Sequence, residues 1–143
     1  MREFKFRLWS IEEKQFIAPN ILEVFNESGD LTPFKYIKTG KLNPLYMPVE
    51  NYIIQQYTGL TDSKGNHIYE GDIIKEHHFE DWGDKIGYEY IGIVVYKEYS
   101  DDILYAGYKT IPAKNQNTKF RGNAIQSDCE VIGNIFENPE LLK

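Results

Sequence analysis

Apolar runs in this 143-residue chain are short, and nearly every one is closed by glycine, proline, asparagine or aspartate before a helix of ordinary length can develop. Phe4, Phe6 and Leu8 alternate with Lys5, Arg7 and Trp9, the period-two signature of a half-buried strand. The polar run from Ser10 to Gln15 leads into a second strand at Phe16-Ile17, stopped by Pro19, so the chain predicts an N-terminal hairpin. From Asn20 to Pro48 the pattern weakens, and Gly29-Asp30, Pro33, Gly40 and Asn43-Pro44 punctuate it. That stretch predicts a loop-rich arm with one short helical turn or strand near Phe34-Lys35-Tyr36-Ile37. Either it faces a partner or a second copy, or it is a plain surface connection.

The signal sharpens from Tyr52. A strand over Tyr52 to Tyr57 closes at Thr58-Gly59, and Asp62-Ser63-Lys64-Gly65-Asn66 has the composition of a turn. There Asp62 can accept backbone amides, and Gly65 or Asn66 can take positive φ. Ile68-Tyr69 leads through Glu70-Gly71-Asp72 into a strand at Ile73-Ile74-Lys75, and Glu76 to Gly87 has the polarity of a hairpin tip. Two further strands, one through Tyr88 to Tyr96 and one returning over Ile103 to Tyr108, predict an antiparallel pair. A polar loop over 112 to 123, a last strand from Glu130 to Phe136 and a helical turn complete the reading. In that turn Asn138 is suited to the cap and Pro139 to the first position, and Leu141 and Leu142 would dock. Short strands with tight turns and no long helices between them argue for a mainly β chain built on a small closed or half-open barrel. The division is an N-terminal hairpin and irregular arm over 1–51 and a barrel over 52–143, or one integrated domain.

Four blocks read together as a family pattern: Arg2-Glu3-Phe4-Lys5-Phe6-Arg7 with Trp9; Gln56-Tyr57-Thr58-Gly59-Leu60-Thr61-Asp62; Ile68-Tyr69-Glu70-Gly71-Asp72-Ile73-Ile74; and Val131-Ile132-Gly133-Asn134-Ile135-Phe136-Glu137-Asn138-Pro139-Glu140-Leu141-Leu142. In this order they resemble the YopX family. The resemblance implies a protein encoded by phages and prophages of Gram-positive bacteria, with an SH3-like β-barrel as its main domain. It implies no activity, and no functional residue is carried over. Ser10 departs from the acidic residue usual after the tryptophan, which matters little if the position caps a turn.

Chemistry-bearing residues are sparse. Cys129 is the single cysteine, so it forms no internal disulfide, and it reads as a small residue beside a strand rather than as a nucleophile. His77-His78 with Glu80 and Asp81 is the one cluster that suggests a metal. Adjacent histidines on a strand point to opposite faces, and no third ligand stands at a recognised spacing, so no metal or cofactor is expected. Glu70-Gly71-Asp72 invites an acid-base reading, yet a turn explains every letter. His67 lies in a turn among polar neighbours.

Eleven tyrosines are more than a small core buries with every hydroxyl satisfied. If Ile91, Ile93 and Val95 point inward, Tyr88, Tyr90 and Tyr96 flank Gly92 in an outward stripe, which Tyr105 or Tyr108 extends across the hairpin. The competing reading packs this face under the N-terminal strand or the 20–48 arm. The stripe, in a chain of net charge −6, predicts a non-enzymatic module that binds a host or phage protein. The alternative is a single-stranded nucleic-acid binder that stacks bases on tyrosine and meets phosphates with Lys75, Lys85, Lys97, Lys109, Lys114, Lys119 and Arg121. The acidic balance counts against it. Charges through the first seven residues break any leader-like apolar run, and no apolar stretch approaches the ~18 residues of a membrane span, so a cytoplasmic chain is expected. Self-association through the arm or a barrel edge is compatible with each reading.

Overall fold

A computed structural model describes residues 5–17, 23–25, 36–39, 45–78, 88–97, 107–113, 123–125 and 128–143. It divides the chain into a unit of Phe4–Gln56 and a unit that includes Tyr57–Lys143. All described strand pairs are antiparallel.

In the first unit the predicted hairpin forms from β1 (Phe6–Ser10) and β2 (Gln15–Ile17). The Ser10 hydroxyl accepts the Glu13 amide at 3.1 Å, the Ser10 carbonyl accepts that of Lys14 at 3.0 Å, and Lys14 takes a φ of 53°. Ser10 therefore caps the turn, the condition under which its departure from the usual acidic residue matters little. Three more strands follow, β3 (Glu23–Phe25), β4 (Tyr36–Thr39) and β5 (Leu45–Pro48), paired in the order β3-β4-β5. The short element expected near Phe34–Ile37 forms as the strand β4, and β3 and β5 are additions to that expectation: strands of three or four residues are too short to show a period in the sequence, and the cross-strand pairing that makes them is non-local.

A 3-10 turn (Val49–Asn51) leads to β6 (Tyr52–Thr61), whose first half pairs with β1. Its second half lies in the other unit and pairs with β7 (His67–Tyr69) around a bulge between Tyr57 and Thr61. Gly59 supplies a φ of 88° at that bulge. The Thr58 hydroxyl donates to the Ile68 carbonyl at 2.9 Å and accepts the Leu60 amide at 3.1 Å.

The main sheet of the second unit contains β8 (Asp72–His78), β9 (Tyr88–Lys97), β10 (Gly107–Pro112), β11 (Asn123–Ala124) and β12 (Glu130–Asn134), in the order β11-β10-β9-β8-β12. Glu76, His77 and His78 continue β8 rather than opening a hairpin tip, because each has a β9 partner, Tyr90, Glu89 and Tyr88 in turn. The sheet curls. Glu76 pairs with Tyr90 and Thr110 with Val94, which in a flat sheet would leave their Cα atoms roughly 16 Å apart. Their side chains nevertheless meet at 3.1 Å. Gly92, between Tyr90 and Val94, permits this: a Cβ there would stand 2.6 Å from Tyr90 Cε1 and 3.0 Å from the Ile111 carbonyl oxygen. A half-open barrel matches the expectation. The core on this face is Ile68, Ile74, Val94 and Cys129, with Tyr108, Ile125 and Val131 against it.

Turn chemistry closes the chain ends of these strands. Gly71, at φ 77°, is bonded on both sides, its amide to Val94 and its carbonyl to the Ile135 amide, and the Asp72 carboxylate accepts the Tyr69 amide at 2.8 Å. After β12 the Asn134 side chain accepts the amides of Phe136 and Glu137. The final 3-10 turn (Pro139–Leu142) has proline at its start, but the Asn138 side chain makes no cap bond. It turns back instead to accept the Asn134 amide, over the site where Gly133 lacks a side chain. Leu141 and Leu142 are half-buried.

Candidate functional site

Alternation along β9 decides which tyrosines can meet a partner. Val94 is fully buried and Gly92 enclosed, so Tyr90 and Tyr96, at the same parity, share the core-facing side of the strand. The expected orientation is thereby reversed: Ile91, Ile93 and Val95 lie on the opposite face and are only half-buried. The reason is the curl, which places the narrow core against Gly92 and leaves the broader isoleucine face outside.

Tyr90 is 2% exposed and so cannot be a surface anchor. Its ring takes the space above Gly92, its hydroxyl lies 3.5 Å from the Thr110 carbonyl oxygen, and it shares this interior with Glu76. Tyr96, six residues on, reaches the end of the sheet and is 47% exposed. Tyr108 is its direct cross-strand partner, and the rings pack edge to face with centroids 5.3 Å apart at 69°. Tyr108 is itself half-buried against the core, so it holds the exposed ring of Tyr96 on a fixed base. Of the four tyrosines expected to form the surface, Tyr88 has a strand position but no described side chain, and Tyr105 lies outside the described residues. Burial thus takes Tyr90 out of the stripe, and among the described side chains a corner of two rings, Tyr96 and Tyr108, is left.

The buried polar groups of this unit are structural in their geometry. Glu76 is 1% exposed and accepts the Thr110 hydroxyl. Sequence reading missed it, since a lone glutamate in a polar run carries no mark of burial. Asp62 is held by four bonds. Its carboxylate accepts the Lys64 amide at 2.9 Å, the Asn66 amide at 2.8 Å, the Asn66 side-chain amide at 3.0 Å and the Val131 amide at 3.1 Å. Burial pushes its pKa up, but the bonds from Asn66, Val131 and Lys64 outweigh that and hold it below the ordinary aspartate value. Cys129 is fully enclosed; burial first, then the charges of Glu76 and Asp62, push its thiol up to about 11, so it packs as an apolar side chain.

His67 is exposed, and its ring packs 4.7 Å from that of Tyr57, which also meets Tyr69 at 5.6 Å. His77 is half-buried, while Glu80 and Asp81 lie outside the described residues. Among the described residues no three of His, Cys, Asp and Glu converge as metal ligands. Lys75, one of the cations assigned to phosphate contact, lies 3.5 Å from the Glu89 carboxylate. Lys109 pairs with Val95, on the face opposite the two tyrosines. No helix among the described residues is long and apolar enough to cross a membrane.

A family model described as YopX protein matches residues 5–143. The fold is similar to the crystal structure of protein EF1440 from Enterococcus faecalis, with a TM-score of 0.64 and 24% identity over 100% of both chains. No curated protein matches the chain.

Proposed function

The chain belongs to the YopX family, and from that premise we propose that it is a non-enzymatic binding module, encoded by a phage or prophage and acting in the bacterial cytoplasm on a protein partner. The observation that carries this reading is the exposed ring of Tyr96, held edge-on by Tyr108 at the end of the curled sheet. A large aromatic side chain with few rotatable bonds, fixed on a rigid strand, loses little entropy when a partner covers it. The buried polar groups of the same unit are engaged in holding the fold: Asp62 and Asp72 bind turns, and Glu76 binds across the sheet.

Stacking on single-stranded nucleic acid would need cations on the side of the rings. Lys109 stands on the other face, which favours a protein partner. The test is recovery of the tagged full chain and its Tyr96→Ala variant from a bacterial host, each with and without nuclease, followed by mass spectrometry. The reading expects a nuclease-resistant protein that accompanies the wild type and is depleted from the variant. Capture unchanged by Tyr96→Ala with the fold intact, or material lost on nuclease treatment, would overturn it.

A further inference from the structure

We propose that the turn over residues 62–66 is a strap that closes the outer edge of β12 against strand addition, and that its release turns this edge into a pairing site for the same edge of a second copy of the chain. The inference is independent of the tyrosine corner. β12 stands last in the order β11-β10-β9-β8-β12, with β8 as its strand neighbour among the described residues. A last strand presents backbone donors and acceptors on its outer side, and these are a template for another chain. Here a turn takes them. The Val131 amide donates to the Asp62 carboxylate at 3.1 Å, and the Cys129 carbonyl accepts the Ser63 amide at 2.9 Å. Residues two apart in an antiparallel ladder turn their backbone groups to the same side, so both of these groups point away from β8. The Lys64 ammonium pairs with Glu130, between the two fastened residues. Further along, the Asn134 amide is accepted by the Asn138 side-chain oxygen at 3.3 Å.

Asp62 serves the turn and the edge with different oxygens. Its Oδ1 accepts the backbone amides of Lys64 and Asn66, while its Oδ2 accepts the Asn66 side chain and the Val131 amide. The turn also closes on itself, through the Gly65 amide on the Asp62 carbonyl at 3.0 Å and the Asp62 amide on the Asn66 carbonyl at 2.9 Å. It has no need of Cys129 or Val131, so the two bonds to them act on the edge. With the strap lifted, the edge offers an acceptor at 129 and a donor at 131. Two such edges, antiparallel about Glu130, satisfy each other reciprocally, as a two-fold interface requires. The Glu130 side chains of the two copies then face each other, so the pairing should strengthen with added salt.

The full chain carrying Asp62→Asn and Ser63→Pro tests this. Asparagine keeps an oxygen for the amides of Lys64 and Asn66 and sets an NH2 group, a donor, where Val131 needs an acceptor. Proline is favoured at the first central position of a turn, which Ser63 occupies, and it removes the amide bonded to Cys129. Sedimentation velocity over a series of concentrations is expected to show a dimer that wild type does not form. Hydrogen exchange at the Val131 amide in dilute protein is expected to be roughly ten-fold faster than in wild type, the measure of one lost hydrogen bond. Adding Val131→Pro removes the outward amide and spares the ladder to β8, and is expected to restore the sedimentation of wild type. Each single variant opens one bond and is expected to give the same gain in smaller measure, which keeps the test decisive if the double variant loses its fold by circular dichroism. Absence of the gain from every variant that keeps the fold would overturn the proposal. So would a gain that survives Val131→Pro, or a wild type that already dimerises and ceases to on Val131→Pro.

Discussion

Two carboxylates in the second unit are almost equally buried, Asp62 at 5% and Glu76 at 1% exposure, yet they are held in opposite ways. Three of the four bonds to Asp62 come from Lys64 and Asn66, within four residues of it, and the turn brings its own donors. Glu76 accepts a hydroxyl from Thr110, 34 residues away and on the far side of β9. One acid is satisfied by local backbone geometry. The other takes its bond from Thr110 only when the sheet has curled, so that contact is a product of the fold rather than a cause of it.

The largest effect should come from the local site. Asp62→Ala removes one acceptor from three backbone amides and a side-chain amide, and with water able to reach the exposed part of the turn the loss should be about 3 kcal/mol. Urea unfolding at neutral pH measures it. Because the folded fold depresses the pKa of Asp62 from its ordinary 3.8, its contribution is fully present above that value and is lost as pH falls through the lower folded value. The wild type should therefore lose stability below about pH 4 more steeply than Asp62→Asn. Identical acid limbs for the two proteins would mean that the turn holds together without the charge.

At the distant site the effects should be smaller. Thr110→Val keeps the shape and removes the hydroxyl donor to Glu76, an expected cost of about 1–2 kcal/mol. A Glu76→Gln background should shrink that cost, because an amide accepts the same hydrogen bond less strongly than a carboxylate. Gly92→Ala tests the curl directly. Its methyl group would meet the Tyr90 ring at 2.6 Å, and the expected loss is about 1–2 kcal/mol, part of it recovered by Tyr90→Leu in the same chain. If the double variant recovered nothing, contact with the Ile111 backbone would be the controlling clash.

The same contrast explains what was legible before the fold was known. The turns were legible, because Gly65 and Gly71 at positive φ and the acceptors Asp62 and Asp72 act on residues within four positions of themselves. The N-terminal hairpin was legible for the same reason. The facing of β9 was not: Tyr-Ile-Gly-Ile-Val-Val-Tyr is apolar at both parities, so alternation alone could not say which side meets the core. Gly92 held the answer, since a strand glycine marks close approach, but that signal points to no particular face until the neighbouring strand is in place. Tyr90 therefore moved inward and Tyr108 became the partner of Tyr96.

The smallest effect belongs to Lys64, and it separates backbone from charge within the Asp62 turn. The Lys64 ammonium pairs with Glu130, and the hydrogen bond and charge of Glu130 raise its pKa. That contribution is present at neutral pH and would fade only as pH rises through the raised value. Both side chains are solvent-exposed, at 62% and 34%, and ion pairs in water are screened and entropically costly. The Lys64 amide, in contrast, is one of the donors to Asp62 and survives any side-chain change. Lys64→Met should thus leave the urea midpoint and its salt dependence where they are at pH 7, while Asp62→Ala lowers the midpoint sharply. A Lys64→Met loss approaching that of Asp62→Ala would assign the stability of this turn to its ion pair with β12, and the distinction between a locally held and a remotely held acid would have to be given up.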